Sequence, residues 1–316
     1  IVDNRAGADA GAIGLISGGP TRILNSTIAG NSAQFVAAGV SGNTTGLVTV
    51  INSILWHNSV GGTNNQDAQI KFISAPLSVS HSCVEGLSSL AGNDNVEHDP
   101  IFTGGGDYRL VSCSPLIDAG YYFALGDLTN DLGGLDRAVG GTVDMGAYEF
   151  QGTSTTPMFI VDQPNAVSFC PIRGADRFTV TANGSGLTYQ WQVNRMDGFD
   201  FVDVVDDPLI AVGAATSNLT IISVSAADHG DLYRCRITSA DDCDVVTDEV
   251  PLIYDPDRFY VKSDATGNGS GSSWSNAFTS LSAVLSALAQ AEDNRRVQAI
   301  LDGIPYEEWK RANGPC

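Results

Sequence analysis

The feature that most constrains this chain is a recurrence. Asn25-Ser-Thr-Ile-Ala-Gly-Asn31-Ser returns 27 residues later as Asn52-Ser-Ile-Leu-Trp-His-Asn58-Ser, and counting back 27 from Asn31 lands on Asn4. The runs Ala10-Gly-Ala-Ile13 and Ala37-Ala-Gly-Val40 keep the same offset. A fourth, degenerate copy is His81-Ser-Cys-Val-Glu-Gly86, where the spacing stretches to about 29. A 27-residue period of short β-rich runs between Gly/Asn turns is too short for a propeller blade and too β-rich for a helical repeat. It fits one coil of a parallel β-helix, each coil adding about 4.8 Å along the axis. Asn4, Asn31 and Asn58 are then expected to stack as an amide ladder, with Ile28, Leu55 and Val84 as interior rungs. Two similar hairpins in a sandwich are the competing fold, and the third in-register Asn weighs against them.

Composition narrows the functions available. Asp and Glu number 36 against 16 Lys and Arg, a net charge of −20, while only 16 % of positions are charged. Such a chain lacks the basic footprint that nucleic-acid binding or adsorption to anionic membranes requires. The 35 glycines, with many Ser, Thr, Asn and Val, speak for turn-dense β structure. The one helical-looking stretch, Leu281 to Ala291, is too short to span a bilayer, which takes about 20 residues. Ile1 opens directly into patterned sequence, so no signal peptide is visible: either it was removed or the chain is cut from something longer. Six cysteines, Cys83, Cys113, Cys170, Cys235, Cys243 and Cys316, lack CxxC spacing. They fit an oxidising, extracellular setting with one or two disulfides, with buried free thiols as the alternative.

After the coils come Asp99-Pro-Ile-Phe102, Gly106-Asp-Tyr-Arg-Leu110, Ser114-Pro-Leu-Ile-Asp-Ala-Gly120 and Val143-Asp-Met-Gly-Ala-Tyr-Glu-Phe150. This stretch resembles the C-terminal closing region of bacterial right-handed parallel β-helix proteins of the choice-of-anchor type, large secreted or surface proteins common in Bacteroidetes. The resemblance covers residues 1–150 and implies that the closing region shields the open strand edge of the last coil. A disulfide between Cys83 and Cys113, which flank that region, would staple it to the last coil.

Residues 151–157 form a polar linker. From 158 to 254, runs such as Leu187-Thr-Tyr-Gln-Trp191 and Asp228-His-Gly-Asp-Leu-Tyr233-Arg-Cys235 alternate with turn signals at β-sandwich spacing. The segment resembles the Ig-like domains strung between modules of Bacteroidetes surface proteins, with Trp191 on strand C and a tyrosine corner at Tyr233. It departs from the antibody pattern at Val180, which stands where strand B carries a cysteine. Cys235 thus loses its usual partner, and of the three pairings open, Cys170 with Cys243 is preferred. Residues 255–316 begin like the opening of the same β-helix family, with Leu281, Val284, Leu285 and Leu288 on one stripe of a short helix.

The expected fold is therefore all-β: the end of a right-handed parallel β-helix, an Ig-like β-sandwich, and a β-helix-start-like segment with one small helix. Asp127, Asn130, Asp131, Asp136 and Asp144 form one candidate calcium constellation, since hard oxygen ligands in a Gly-rich loop suit that ion; solvated turn carboxylates are the bland reading. No other cofactor is implied. Candidate acid, base and ligand residues in the coils, Asp3, Asp9, His57, Asp67, Lys71, His81 and Glu85, do not recur at equivalent positions, so no catalytic residue is assigned. The expected function is structural and adhesive, a segment of an extracellular or cell-surface fibre or stalk, not an enzyme. Its partners would be copies of itself or neighbouring modules head to tail, and surface glycans, with no nucleic acid and no membrane insertion. The alternatives are a polysaccharide-degrading β-helix enzyme with an accessory Ig-like domain, and a carbohydrate-binding module with Trp56 as the coil aromatic.

Overall fold

The computed structural model describes residues 1–316 except 17, 91, 170–175, 255–262, 265, 267–277, 281 and 284–316. The expected helix over 281–288, nearly all of the segment 255–316, and Cys170 and Cys316 therefore lie outside the described residues. The chain divides into two compact units, Ile1–Phe159 with Asn183–Ser185 and Ser239–Val245, and Ile160–Ala182 with Gly186–Thr238 and Val246–Cys316. Among the described residues the regular structure of both is almost wholly short strands, with one α-helical turn, Gln66–Gln69, in the first unit.

The first unit is a stack of parallel strands. Thr27–Ala29, Ile54–Trp56 and Cys83–Val84 pair in one sheet, Thr21–Leu24, Val48–Ile51 and Leu77–Ser80 in a second, and Ile13–Leu15, Val40–Gly42 and Ile70–Phe72 in a third. Ser32–Ala33 and Ser59–Val60 make a fourth, two-stranded contact. Registers such as Ile28 on Leu55 and Ile23 on Val50 reproduce the 27-residue offset, whereas Val84 on Leu55 is 29 apart and Val40 on Ile70 is 30. Each repeat thus supplies one strand to each of these three-stranded sheets, and equivalent residues lie above one another. The interior is a column of Ile23, Ile28, Val40, Val48, Val50, Leu55, Ile70, Val79 and Val84, all buried. Burying a Val, Leu or Ile is worth about 1.5–3 kcal/mol, which offsets the entropy of ordering such short strands.

The corners use residues that tolerate the left-handed region. Asn25, Asn52 and His81 occupy one corner at φ of 46°, 52° and 47°, and Gly30, His57 and Gly86 the next at 68°, 53° and 70°. Asn and Gly adopt this conformation at the least steric cost, so their recurrence in the sequence marks where each coil turns.

The closing segment departs from expectation. The last coil's edge is extended by a parallel bridge from Cys83 to Val96, while residues beyond 100 pack on the outward face of the strand sheet. There Ala29, Ile54, Trp56 and Cys83 meet Leu110, Leu116 and Met145 in a second core. Strand Ile54–Trp56 is consequently buried on both faces, Leu55 inward and its neighbours outward, the environment typical of covered parallel sheets. Trp56 lies inside this core, which removes it as an exposed carbohydrate platform.

The cysteines also differ from the expected pairs. Cys113 bonds Cys243, both in the first unit, which overturns Cys83–Cys113 and Cys170–Cys243. Cys83 is a fully buried free thiol whose Sγ donates to the His98 carbonyl at 3.2 Å, and burial pushes its pKa far up. Flanking positions in the sequence say nothing about Cβ direction, and the Cys83 side chain is committed to the outer core.

The second unit is an Ig-like β-sandwich. One sheet orders Val167–Phe169, Val250–Tyr254, Leu232–Thr238, Thr188–Asn194 and Val202–Asp203, with Asp244–Val246 as a sixth strand paired to Leu232–Thr238; the other orders Asp176–Thr179, Asn218–Ile221 and Ala211–Val212. Trp191 is fully buried, and its indole N–H donates to the Thr216 carbonyl at 2.9 Å. Phe178 stacks on Tyr233 with ring centroids 4.7 Å apart. Cys235, opposite Trp191 in register, is a buried free thiol, and the buried Val180 leaves it no partner on strand B.

Candidate functional site

Two buried polar systems distinguish the first unit. The first is the amide ladder. Asn4 donates its backbone N–H and Nδ2 to Oδ1 of Asn31, at 3.0 and 2.9 Å, and Asn31 repeats both bonds onto Asn58, at 3.1 and 2.8 Å. The series ends on Gln69, whose Oε1 accepts the backbone N–H and Nδ2 of Asn58 at 3.2 and 2.7 Å. Gln69 is carried inward by the helical turn Gln66–Gln69, which the larger, 30-residue offset between Val40 and Ile70 accommodates. Its Nε2 reaches Glu85 at 3.1 Å, a carboxylate that also accepts the His57 backbone N–H at 2.6 Å. Burial pushes Glu85 up, against the pull of His57, its backbone N–H and the Asn64 side chain. A parallel serine series runs beside it: the Ser26 N–H donates to Ser53 Oγ at 3.3 Å and the Ser53 N–H to Ser82 Oγ at 3.1 Å.

The second system holds the closing segment. Arg137, 1 % exposed, pairs with the equally buried Glu149 through Nη1 and Oε2 at 3.1 Å. Its Nη2 donates to the carbonyls of Gly146 at 2.7 Å and Asp144 at 3.1 Å, and reaches Asn25 Oδ1 of the stack at 3.4 Å. Glu149 accepts the backbone N–H groups of Val139 and Asp144, each at 3.0 Å. Asp144 accepts those of Asp118, at 2.8 Å, and Phe150. Asp131 accepts those of Leu135 at 2.9 Å and Glu149 at 3.0 Å. Burial pushes Glu149 up to about 7 and Asp144 to about 6, and pulls Arg137 down from its ordinary value, with the opposite charges offsetting part of each shift.

A carboxyl poised near neutrality is a common feature of general acids. Here both carboxylates face protein, every oxygen is engaged by N–H donors, and the resulting chemistry is the fixing of one backbone segment on another. The expected calcium set is not gathered: Asp131 and Asp144 are turned onto backbone amides, Asp127 and Asp136 are exposed, and Asn130 Nδ2 bonds the Gly134 carbonyl at 3.1 Å. Among the described residues no group of three or more His, Cys, Asp or Glu could hold a metal ion. Arg137 and Glu149 escaped the sequence reading; for Glu149 the signal available was a charged residue inside the otherwise apolar closing motif, whereas Arg137 lies outside that motif.

Beside this cluster lies an open cleft of about 1250 Å³, lined in part by Asp107, Tyr108, Arg109, Leu132, Tyr148 and Phe150. Three of its polar side chains are engaged: Arg109 chelates Asp107, and the Tyr108 hydroxyl donates to Asp3 at 2.8 Å. His57 and His81 are corner residues rather than members of a convergent site. The His81 Nε2 lies 3.2 Å from Asp94, and the His57 ring is exposed.

No protein-family model matches the chain, and no curated protein matches it. Among solved structures it is similar to two crystal structures of the N-terminal four Ig domains of Dscam1. With isoform 7.44 the identity is 16 % and the TM-score 0.26, and with isoform 4.44 they are 15 % and 0.25. In each case the similarity covers 33 % of this chain and 26 % of the other, so it spans about a quarter of those chains' length.

Proposed function

We propose that this chain is a non-enzymatic segment of an extracellular structural and adhesive protein, in which a right-handed parallel β-helix supplies a stiff stalk and the Ig-like sandwich a display module. The observation that carries this reading is the direction in which the buried polar chemistry is spent. Asn31, Asn52, Asn58, Ser53, Ser82, Arg137, Asp144 and Glu149 are all buried, and the bonds they make tie coil to coil or closing segment to backbone. Ladders of this kind confer length and rigidity along an axis. The Cys113–Cys243 disulfide supports an oxidising, extracellular setting. Neighbouring modules or further copies, joined head to tail, and surface glycans are the partners this role calls for.

The test is made on cells that produce the protein natively. Surface biotinylation with an impermeant reagent should label it, and blocked thiols should reveal Cys113 and Cys243 oxidised. An intracellular protein with both thiols reduced would refute the reading. Release of reducing ends from a panel of polysaccharides by the purified chain would replace it with the hydrolytic alternative.

A further inference from the structure

The sandwich carries an acidic, apolar edge. Val202–Asp203 ends the order of the six-stranded sheet and Ala211–Val212 ends that of the three-stranded sheet, and the chain passes directly from one to the other. Along this stretch Phe199, Val205 and Leu209 are 77 %, 80 % and 76 % exposed, and Met196, Val202 and Ile210 are exposed as well. Single exposed apolar residues are ordinary on a protein surface; six large ones within 15 consecutive residues are not. Five aspartates, Asp197, Asp200, Asp203, Asp206 and Asp207, alternate with them. Several of these bond nearby backbone: Asp197 accepts the Phe199 N–H at 3.1 Å, Asp207 that of Leu209 at 2.8 Å and Asp206 that of Ala214 at 2.7 Å. These bonds close local turns while the charge stays on the surface.

The backbone of this edge is also directed outward. The Val204 N–H bonds the Trp191 carbonyl at 2.8 Å, and Val202 faces Val193 in the antiparallel register. Alternation along such a ladder turns the N–H and C=O of Asp203 away from the sheet. Charges placed on an edge are one means of preventing association. A purely protective edge, however, has no reason to expose Phe199, Val205 and Leu209 between its aspartates. A second copy of the chain, itself at −20, is repelled from this surface.

We propose that this edge binds an extended polypeptide segment of alternating basic and apolar residues, which adds as a strand beside Val202–Asp203. Main-chain bonds would supply register, the apolar side chains would cover Phe199, Val205 and Leu209, and cationic side chains would meet the aspartates. This inference rests on the adhesive reading above, in naming what the display module holds.

The test uses the full chain and a fluorescein-labelled, end-capped octapeptide alternating lysine and valine, followed by anisotropy. Saturable binding is expected, weakened at least tenfold by alternating lysine and serine or glutamate and valine in the peptide. N-methylation of the valines should weaken it at least tenfold as well. The variants Phe199→Ser/Val205→Ser/Leu209→Ser and Asp200→Asn/Asp203→Asn/Asp206→Asn should each lose at least tenfold, with near-ultraviolet circular dichroism from Trp191 confirming an intact sandwich. No binding, equal binding of the serine or N-methyl peptide, or self-association of the chain through this edge overturns the proposal. A protein shown to be surface-exposed that fails these titrations loses this inference alone.

Discussion

The stack and the sandwich are both made of short strands, yet they bury opposite kinds of residue. The sandwich core is Trp191, Phe178, Leu219, Ile221 and Ile237, drawn from strands distant in sequence. The stack buries amides and hydroxyls as completely as its aliphatic column, with Asn31, Asn52, Asn58, Ser53 and Ser82 all at zero exposure. The difference follows from symmetry. In a stack every residue has its equivalent above and below, so an amide can donate one way and accept the other, and the desolvation penalty of each is met by the next. In a sandwich no such translation exists, and a buried amide would need an unrelated partner.

The sharpest break of this comparison is Asn58→Leu, an exchange of similar volume. It leaves the Asn31 N–H and Nδ2 and the Ile28 carbonyl without the partners Asn58 provides. At roughly 1–3 kcal/mol for each unsatisfied group, a loss of about 4 kcal/mol is expected in the first unit. Trp191→Phe in the sandwich keeps one aromatic ring but leaves a small cavity and the Thr216 carbonyl without its indole donor, so about 2–3 kcal/mol is expected there. Urea unfolding of the two variants checks the ranking, and an Asn58→Leu protein as stable as the parent would show that the ladder contributes nothing net.

Next in size is the disulfide. The chain between Cys113 and Cys243 spans 130 residues, and removing such a constraint costs about 2–4 kcal/mol. Cys113→Ser should therefore lower the urea midpoint far more than Cys235→Ala, which removes only a packed thiol. Iodoacetamide should reach Cys83 and Cys235 after denaturation without reductant, and Cys113 only after reduction.

What the sequence revealed tracks the same symmetry. Asn4, Asn31 and Asn58 were legible because translation by 27 residues puts like beside like, and a repeat in sequence is then a contact in space. The end of the ladder was not legible, because Gln69 enters from an insertion that belongs to no repeat. Nor was the course of the closing segment. Ile54 and Trp56 flank the inward Leu55, and alternation alone cannot say that their outward face would also be covered. The Arg137, Asp144 and Glu149 cluster is non-repeating, so its partners were fixed only by the folded chain.

A smaller effect separates the units by pH. Glu149 is raised from its ordinary value to about 7 and Asp144 to about 6, so the folded closing segment binds these protons more tightly than the unfolded chain does. The sign follows: their contribution is favourable below the unfolded values, near 4, and is lost as pH rises through about 6 to 7. Hydrogen exchange of amides in 130–150 should accelerate across that window, with Glu149→Gln flattening the dependence. A rate set by hydroxide catalysis alone, unchanged by the substitution, would contradict it.

The smallest effect concerns the corners. Gly30, His57 and Gly86 are equivalent, and only His57 carries a side chain there, at a φ of 53°. Left-handed backbone costs a non-glycine residue about 1 kcal/mol, so His57→Gly relieves that strain. Glycine also loosens the unfolded chain by a comparable amount, about 0.5–1 kcal/mol. The side chain gives little to set against this balance, since its ring is exposed and lies 3.8 Å from the Glu85 carboxylate. His57→Gly should therefore fall within about 0.5 kcal/mol of the parent by urea unfolding. Gly30→His should be clearly worse, because a Cβ there would clash with Asp3 Oδ1 and lie 3.0 Å from the Tyr108 hydroxyl. Equal losses at the two positions would mean that the coils are not interchangeable at this corner, and that the His57 ring, 5.8 Å from Trp56, helps to close the outer core.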